Sequence, residues 1–441
     1  MPKVSLSPLE RQLMLPLVKH GWGFWALVSG LVAVIGLGVY AYTIQLEYGM
    51  AVTGLRDRIS WGLYVGTFVF FIGVSYGGTL VSAVLRLTNA KWRTPITRLA
   101  EATTAFSLLV ATTMIIVDLG RPERAASLFF RPQLESPLVW DFVAIMLYLV
   151  GSLIYLYLPL IPDLATLAAK MPRRRARFRR RIYARLAAGW RGLPEQRRAL
   201  ARGIGAMTVL IIPVAVSAHT VTAWVFGLTL RVGWHTALLG PYFVVGALFS
   251  GVATVILVMA IVRRALHLET YLTPVHFRNM GILLLVFNVA LFYFTLSEYL
   301  TAFYGGEAAD VAWVSQLARG PYAVLFWGMV LGGFLTPLVL FVVTRGRSIG
   351  AAVIAAVLVN VGMWLERYLI VVGSLSTPQT PAEVPLYWPT WVEWSVLAAS
   401  VAAFALLLVL FGKLVPFVSM SEMAEAEGIP EPVAEPEGVV S

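Results

Sequence analysis

Residues 61–87 read WGLYVGTFVFFIGVSYGGTLVSAVLRL, and no charged side chain interrupts the run before Arg86. At a rise of ~1.5 Å per residue this stretch makes a helix about 40 Å long, more than a hydrocarbon core of ~30 Å requires. A membrane β-barrel would show short segments of alternating polarity instead. Nine further apolar runs lie at roughly 21–44, 97–118, 138–162, 203–228, 239–263, 278–303, 321–344, 349–373 and 391–415. The expected fold is an all-α integral membrane protein with ten transmembrane helices.

Composition agrees. Of 441 residues 59% are hydrophobic, against ~45–50% in soluble domains. The start, MPKVSLSPLERQLMLPLVKH, is amphipathic and charged. It reads as a cytoplasmic segment, 1–20, and not as a cleavable signal. There are no cysteines, which excludes disulfides, thiolate-held iron–sulfur clusters and cysteine-based zinc sites in this chain. The net charge of +11 is concentrated in alternate connections. Attraction to anionic membrane lipid explains it more simply than nucleic acid, which is not expected as a partner.

Those connections fix an expected orientation. Lys3, Arg11 and Lys19 precede the first span; Arg86, Lys91, Arg93 and Arg98 follow the second; residues 163–202 form a densely basic linker; Arg263, Arg264 and Arg278 lie in the sixth connection, Arg345 and Arg347 in the eighth. The other connections are mixed or acidic, with Glu47 and Asp57, Asp118 and Glu123, Glu307 and Asp310, and Glu383. The positive-inside rule puts both termini in the cytoplasm. The chain divides into spans 1–4 (21–162), the linker, spans 5–10 (203–415) and an acidic tail, 416–441, expected to be disordered.

An internal repeat is visible. Thr94-Pro-Ile lies 33 residues after Trp61, and Thr273-Pro-Val lies 33 residues after Gly240. Asp118 then follows Thr94 by 24 residues, and Glu298 follows Thr273 by 25. This predicts two four-helix bundles, spans 2–5 and 6–9. They run parallel, because an even number of spans separates them.

Under this orientation the acidic and histidine side chains gather toward the extracytoplasmic face. Asp118 ends the third span and Arg121 follows it; Asp141 lies just inside the fourth; His219 lies in the outer third of the fifth. Trp61 and Tyr64 begin the second span and Tyr242 the sixth, while Glu298 and Glu366 lie in the outer parts of the seventh and ninth. Charge at membrane depth costs ~2.5–3.5 kcal/mol per group on insertion scales, so it usually serves a purpose. A quinone ring needs such a set: hydrogen-bond partners for its carbonyls, titratable groups to exchange protons, and apolar walls. His219, Asp118 and Asp141 are the expected proton-exchanging groups, with Trp61, Tyr64, Arg121 and Tyr242 around them.

Structural explanations stand beside this reading. Aromatics at span ends form interfacial belts. Asp118, Arg121 and Glu123 fit a salt-bridged loop, and His219 or Glu366 with Arg367 fit helix-to-helix bonding. Glu101, Asn288, Glu298, Asn360 and Glu366 would form a proton path from the cytoplasm if waters join them. A b-type haem needs two axial ligands at matching depth, and only His219 lies well inside a span. No haem, iron–sulfur cluster or metal site is expected, so electrons must pass to or from a partner subunit.

The chain resembles the NrfD/polysulfide-reductase membrane-subunit family. The resemblance rests on residues 61–87, on KWRTPITRLAEA (91–102), DLGRP (118–122), SAHTVTAWVFGL (217–228), GWHTALLGPYFVVGALFSG (233–251) and ERYLIVV (366–372). Ten spans fit its longer branch, with the HybB-type, DsrP and alternative complex III membrane subunits. The resemblance implies a quinone or quinol site (menaquinone or ubiquinone) near the outer face, served by a periplasmic iron–sulfur subunit. It points to His219 and Asp118 for quinone chemistry. The implied setting is a respiratory or photosynthetic oxidoreductase in a bacterial or archaeal cytoplasmic membrane. Two rival readings fit the same residues: a secondary transporter built on two repeats, and a passive membrane anchor.

Overall fold

The computed structural model describes residues 8–18, 21–171, 177–377 and 386–426. Lys3, Lys19, Glu383 and residues 427–441 lie outside them. Ten helices are long and apolar enough to cross a membrane. They are α1 (Trp22–Val52), α2 (Leu63–Leu87), α3 (Thr94–Asp118), α4 (Pro137–Lys170), α5 (Pro194–Gly227), α6 (Leu239–Ala265), α7 (Pro274–Gly305), α8 (Ala323–Thr344), α9 (Ile349–Gly373) and α10 (Trp391–Leu414). Among the described residues all regular structure is helical. Without water in the bilayer, a helix satisfies every backbone group internally.

The spans overrun their apolar cores where polar residues continue the helix. α1 runs on to Val52 and α4 to Lys170, while α5 begins at Pro194. Prolines stand at the first or second position of α3, α4, α5 and α7, where the missing N–H costs no hydrogen bond. Two stretches widen to π-helix, Gly328–Leu335 within α8 and Leu369–Gly373 at the end of α9.

α2, α3 and α6 form the interior, and α1 and α5 are mostly exposed. α2 packs on α3 and α5, and α4 on those same two; α6 packs on α7 and α9, and α8 on α9. α2 and α6 join the two groups, and α1 pairs with α10 alongside. The α2–α6 approach is a backbone contact. A Cβ on Gly77 would collide with the Cα of Gly251, and one on Gly251 would collide with the Cα of Gly77. Small residues at such crossings let dispersion replace the hydrophobic effect that lipid removes.

Arg86, Arg93 and Arg98 mark one end of the molecule, here the basic end; Tyr64, Asp118 and Asp141 lie toward the distal end. At the basic end Arg98 is buried and donates to Asp163 at 2.6 Å and to the carbonyls of Pro159 and Pro416 at 3.1 and 3.0 Å. Asp163 also accepts from the backbone N–H of Met420 (3.0 Å) and Ser421 (2.9 Å). This corrects the expectation that the tail is unstructured from residue 416. The chain packs as far as the helix Met420–Ala426, because a buried carboxylate holds it and Glu422 bonds to Arg86 and Arg93.

Candidate functional site

The distal rim of α1, α2 and α3 holds one polar cluster. The phenol of Tyr64 donates to Gln45 Oε1 at 2.8 Å, and Gln45 Nε2 donates to the carbonyl of Val117 at 2.9 Å. Gln45 is 1% exposed. Its bond to Val117 places it next to Asp118, which lies within electrostatic reach of Tyr64, as does Tyr42. Two buried atoms here have no hydrogen-bond partner, Asp118 Oδ1 and the hydroxyl of Tyr42. Buried polar atoms are nearly always paired, and an orphan costs ~1–3 kcal/mol. An open acceptor and an open donor beside one phenol can meet a hydroxyl in the reduced form of a ligand and a carbonyl in its oxidised form.

The start of α10 fixes this cluster from the side. Tyr387 donates to Glu393 and accepts from the N–H of Leu63 at 2.9 Å. Burial, then the adjacent Glu393 carboxylate, raises the Tyr387 phenol above its usual range, so it stays a donor. Glu393 Oε2 accepts from the N–H of Gly54 at 2.7 Å and of Thr390 at 2.9 Å. A Cβ on Gly62 would strike the Tyr387 ring. Residues 54, 62 and 63 are thus locked, and Tyr64 with them.

His219 lies deeper. Its Nε2 is 3.0 Å from the carbonyl oxygen of Ile72 and its Nδ1 is 3.1 Å from that of Ala215. Ile72 follows Tyr64 by eight residues, about 12 Å along α2. The structure therefore does not bring His219 and Asp118 together. A neutral imidazole donates to one carbonyl and an imidazolium to both, so a ring that gains a proton finds its acceptor in place. Tyr76 lies against the ring at 4.5 Å between centroids and Tyr148 at 6.4 Å. One helical turn nearer the distal end, Thr222 donates to Asp141 at 2.6 Å.

Toward the basic end the same interior carries a ladder of polar groups. Thr79 bonds with Tyr148 at 2.8 Å and donates to Thr104 at 3.2 Å. Ser82 bonds with Tyr155 at 3.2 Å and donates to Glu101 at 2.7 Å, and Thr208 donates to Tyr155 at 3.4 Å. Glu101 meets Arg86 at 3.1 Å, and Arg86 meets Glu422 at 3.0 Å.

The remaining expected residues sit apart. Trp61 stacks on Trp234 at 5.9 Å and meets Phe226 edge-on at 5.5 Å. Tyr242 bonds with Thr295 at 3.2 Å, and Arg121 is exposed in its loop. Asn288 donates to the carbonyl of Phe334; Asn360 accepts from Thr254 and donates to Ala356. Glu298 accepts from Thr236 in a separate distal cavity of about 320 Å³. Glu366 pairs with Arg367 at 3.2 Å, and Arg367 lies 4.5 Å over the Phe243 ring. Of the expected proton path only Glu101 joins the ladder. Gln45, Tyr42, Thr222 and the ladder tyrosines carry no signal in the sequence that sets them apart.

Residues 51–379 match the family described as polysulphide reductase, NrfD. The chain belongs to that family. The match covers α2–α9, the helices that carry the ladder, Tyr64 and Asp118, while Tyr42, Gln45, Tyr387 and Glu393 lie outside it. Among its relatives, a putative dimethyl sulfoxide reductase membrane subunit of Halobacterium salinarum is 33% identical over 241 residues. That alignment spans 54% of this chain and about half of the relative, 52%. A selenate reductase subunit of Mesobacillus selenatarsenatis is 25% identical over 90% of this chain and 95% of its own length. An Hdr-like menaquinol oxidoreductase integral membrane subunit of Archaeoglobus fulgidus is 25% identical over 92% of this chain and 96% of its own. These relatives are subunits of reductase or oxidoreductase complexes, and this NrfD-family chain is a multi-pass membrane protein.

Proposed function

We propose that the chain is the quinol-reactive membrane subunit of a multi-subunit prokaryotic oxidoreductase, and that the quinone headgroup binds at the distal rim between Tyr64, Tyr42 and Asp118. The observation that carries this reading is the pair of orphaned atoms, Asp118 Oδ1 and the Tyr42 hydroxyl, beside a phenol already oriented by Gln45. A quinol hydroxyl donates to Asp118, and a quinone carbonyl accepts from Tyr42. Oxidation of one quinol to quinone releases two protons and two electrons. Asp118 takes the two protons in turn, releasing the first to the outer side before it accepts the second. This chain has no cysteine, so the electrons pass to a partner's iron–sulfur cluster docked at the distal end, or arrive from it in the reverse direction.

With the basic end in the cytoplasm, protons freed at the rim leave on the outer side. The ladder from Glu101 through Tyr155, Tyr148 and His219 to Asp141 gives a separate route, bridged by waters, for a cytoplasmic proton. His219 acts in it as a relay and does not touch the headgroup.

Asp118→Asn in the purified complex tests the assignment. Quinol-linked turnover is expected to fall ~10²-fold, in the range of lost acid–base catalysis, with the complex still assembled. Wild-type turnover and wild-type affinity for a quinone analogue would overturn it.

A further inference from the structure

We propose that the large cavity at the basic end binds an anionic phospholipid. The cavity encloses about 1020 Å³ between the ends of α2 and α4, the start of α5 and the C-terminal helix Met420–Ala426. That is the upper end of the range for small-molecule pockets, ~300–1,000 Å³. Four arginines line it, Arg86, Arg93, Arg197 and Arg198, against two glutamates, Glu422 and Glu425. The lining therefore carries a net formal charge of +2, from four arginines less two glutamates.

The walls change character along the membrane normal. Pro159 and Ile204 line the cavity on the span side, while Arg197 and Arg198 stand on the first turns of α5, before its apolar stretch begins. A phosphodiester headgroup with acyl chains has that same division, and basic pockets between helices are known to take such headgroups. The anion grip is already in use. Arg86 and Arg93 each hold one oxygen of the Glu422 carboxylate, at 3.0 and 3.1 Å. Arg197 and Arg198 line the same space and are exposed, and their guanidinium groups add N–H donors for a phosphate.

The site is distinct from the distal rim, and its test does not depend on quinone chemistry. The full-length protein, purified in detergent and stripped of lipid, is titrated with phosphatidylglycerol, with phosphatidylcholine and with inorganic phosphate. Binding is read by native mass spectrometry and thermal shift. Phosphatidylglycerol should bind one to one and raise the melting temperature, phosphatidylcholine should not, and the double variant Arg197→Gln/Arg198→Gln should bind the anionic lipid at least about tenfold more weakly. Both substituted positions are exposed, so the variant is expected to fold, and Arg131→Gln, an exposed arginine in the distal connection between α3 and α4, controls for handling. Equal retention of phosphatidylglycerol by the double variant and wild type would overturn the proposal. So would saturation of the same shift by inorganic phosphate, which would mark a simple anion site.

Discussion

The phenol of Tyr64 on α2 is held by Gln45 on α1, across 2.8 Å, and the same glutamine amide reaches the last turn of α3 at Val117. One side chain thus ties three helices at the depth where Asp118 is left with an open oxygen.

Tyr64→Phe removes the donor to Gln45 Oε1 and leaves that oxygen buried and unpaired. The expected loss is ~1–3 kcal/mol of stability, with roughly tenfold weaker binding of a quinone analogue, equivalent to about 1.4 kcal/mol. Thermal denaturation and analogue titration of the complex check both. Two unchanged values would mean that the phenol positions nothing.

Asp163→Ala leaves the Arg98 guanidinium buried without its carboxylate and frees the N–H groups of Met420 and Ser421. Breaking a buried pair from one side costs ~3–5 kcal/mol. Limited proteolysis should cut within 416–426 in the variant and spare the wild type; equal cutting in both would show that Asp163 does not hold this segment.

Gly77→Val should reduce the yield of folded protein, because its Cβ has no room against the Gly251 backbone and overpacking costs ~1–3 kcal/mol or more. Gly36→Val provides the comparison, since a Cβ at Gly36 meets nothing within 4 Å. Membrane-fraction yield and monodispersity separate the two. Similar behaviour would contradict the close α2–α6 crossing.

His219→Ala should lower quinol-linked turnover by ~10²-fold or more while analogue binding at the rim persists, because His219 meets the Ile72 carbonyl, about 12 Å along α2 from Tyr64. Asp141→Asn should behave alike, since Thr222 would then bond a group that no longer exchanges protons. Normal turnover in His219→Ala would remove the histidine from the mechanism, and lost binding would move the headgroup to it.

The ten spans were legible because length and apolarity alone specify them. The depth of Asp118 and His219 followed from counting residues along their helices. The face each presents does not follow from that count, since it depends on which helices pack together, and the two belong to different clusters. Gln45 near a span end reads as an ordinary interfacial polar residue, and only its bonds to Tyr64 and Val117 distinguish it. Tyr76, Tyr148 and Tyr155 read as apolar packing; the hydroxyl partners of Tyr148 and Tyr155 come from helices distant in sequence. The docking of 416–426 rests on Asp163, one acid at the edge of a basic linker, whose partners Arg98, Met420 and Ser421 are distant in sequence.

The most direct measurement is photocrosslinking of the assembled complex with an azido-quinone, followed by peptide mapping. A headgroup at the distal rim predicts labelling within residues 42–50, 61–66 and 114–121, suppressed by excess unmodified quinone and by Asp118→Asn. Competable labelling confined to α6–α9, around Glu298 and Glu366, would contradict it.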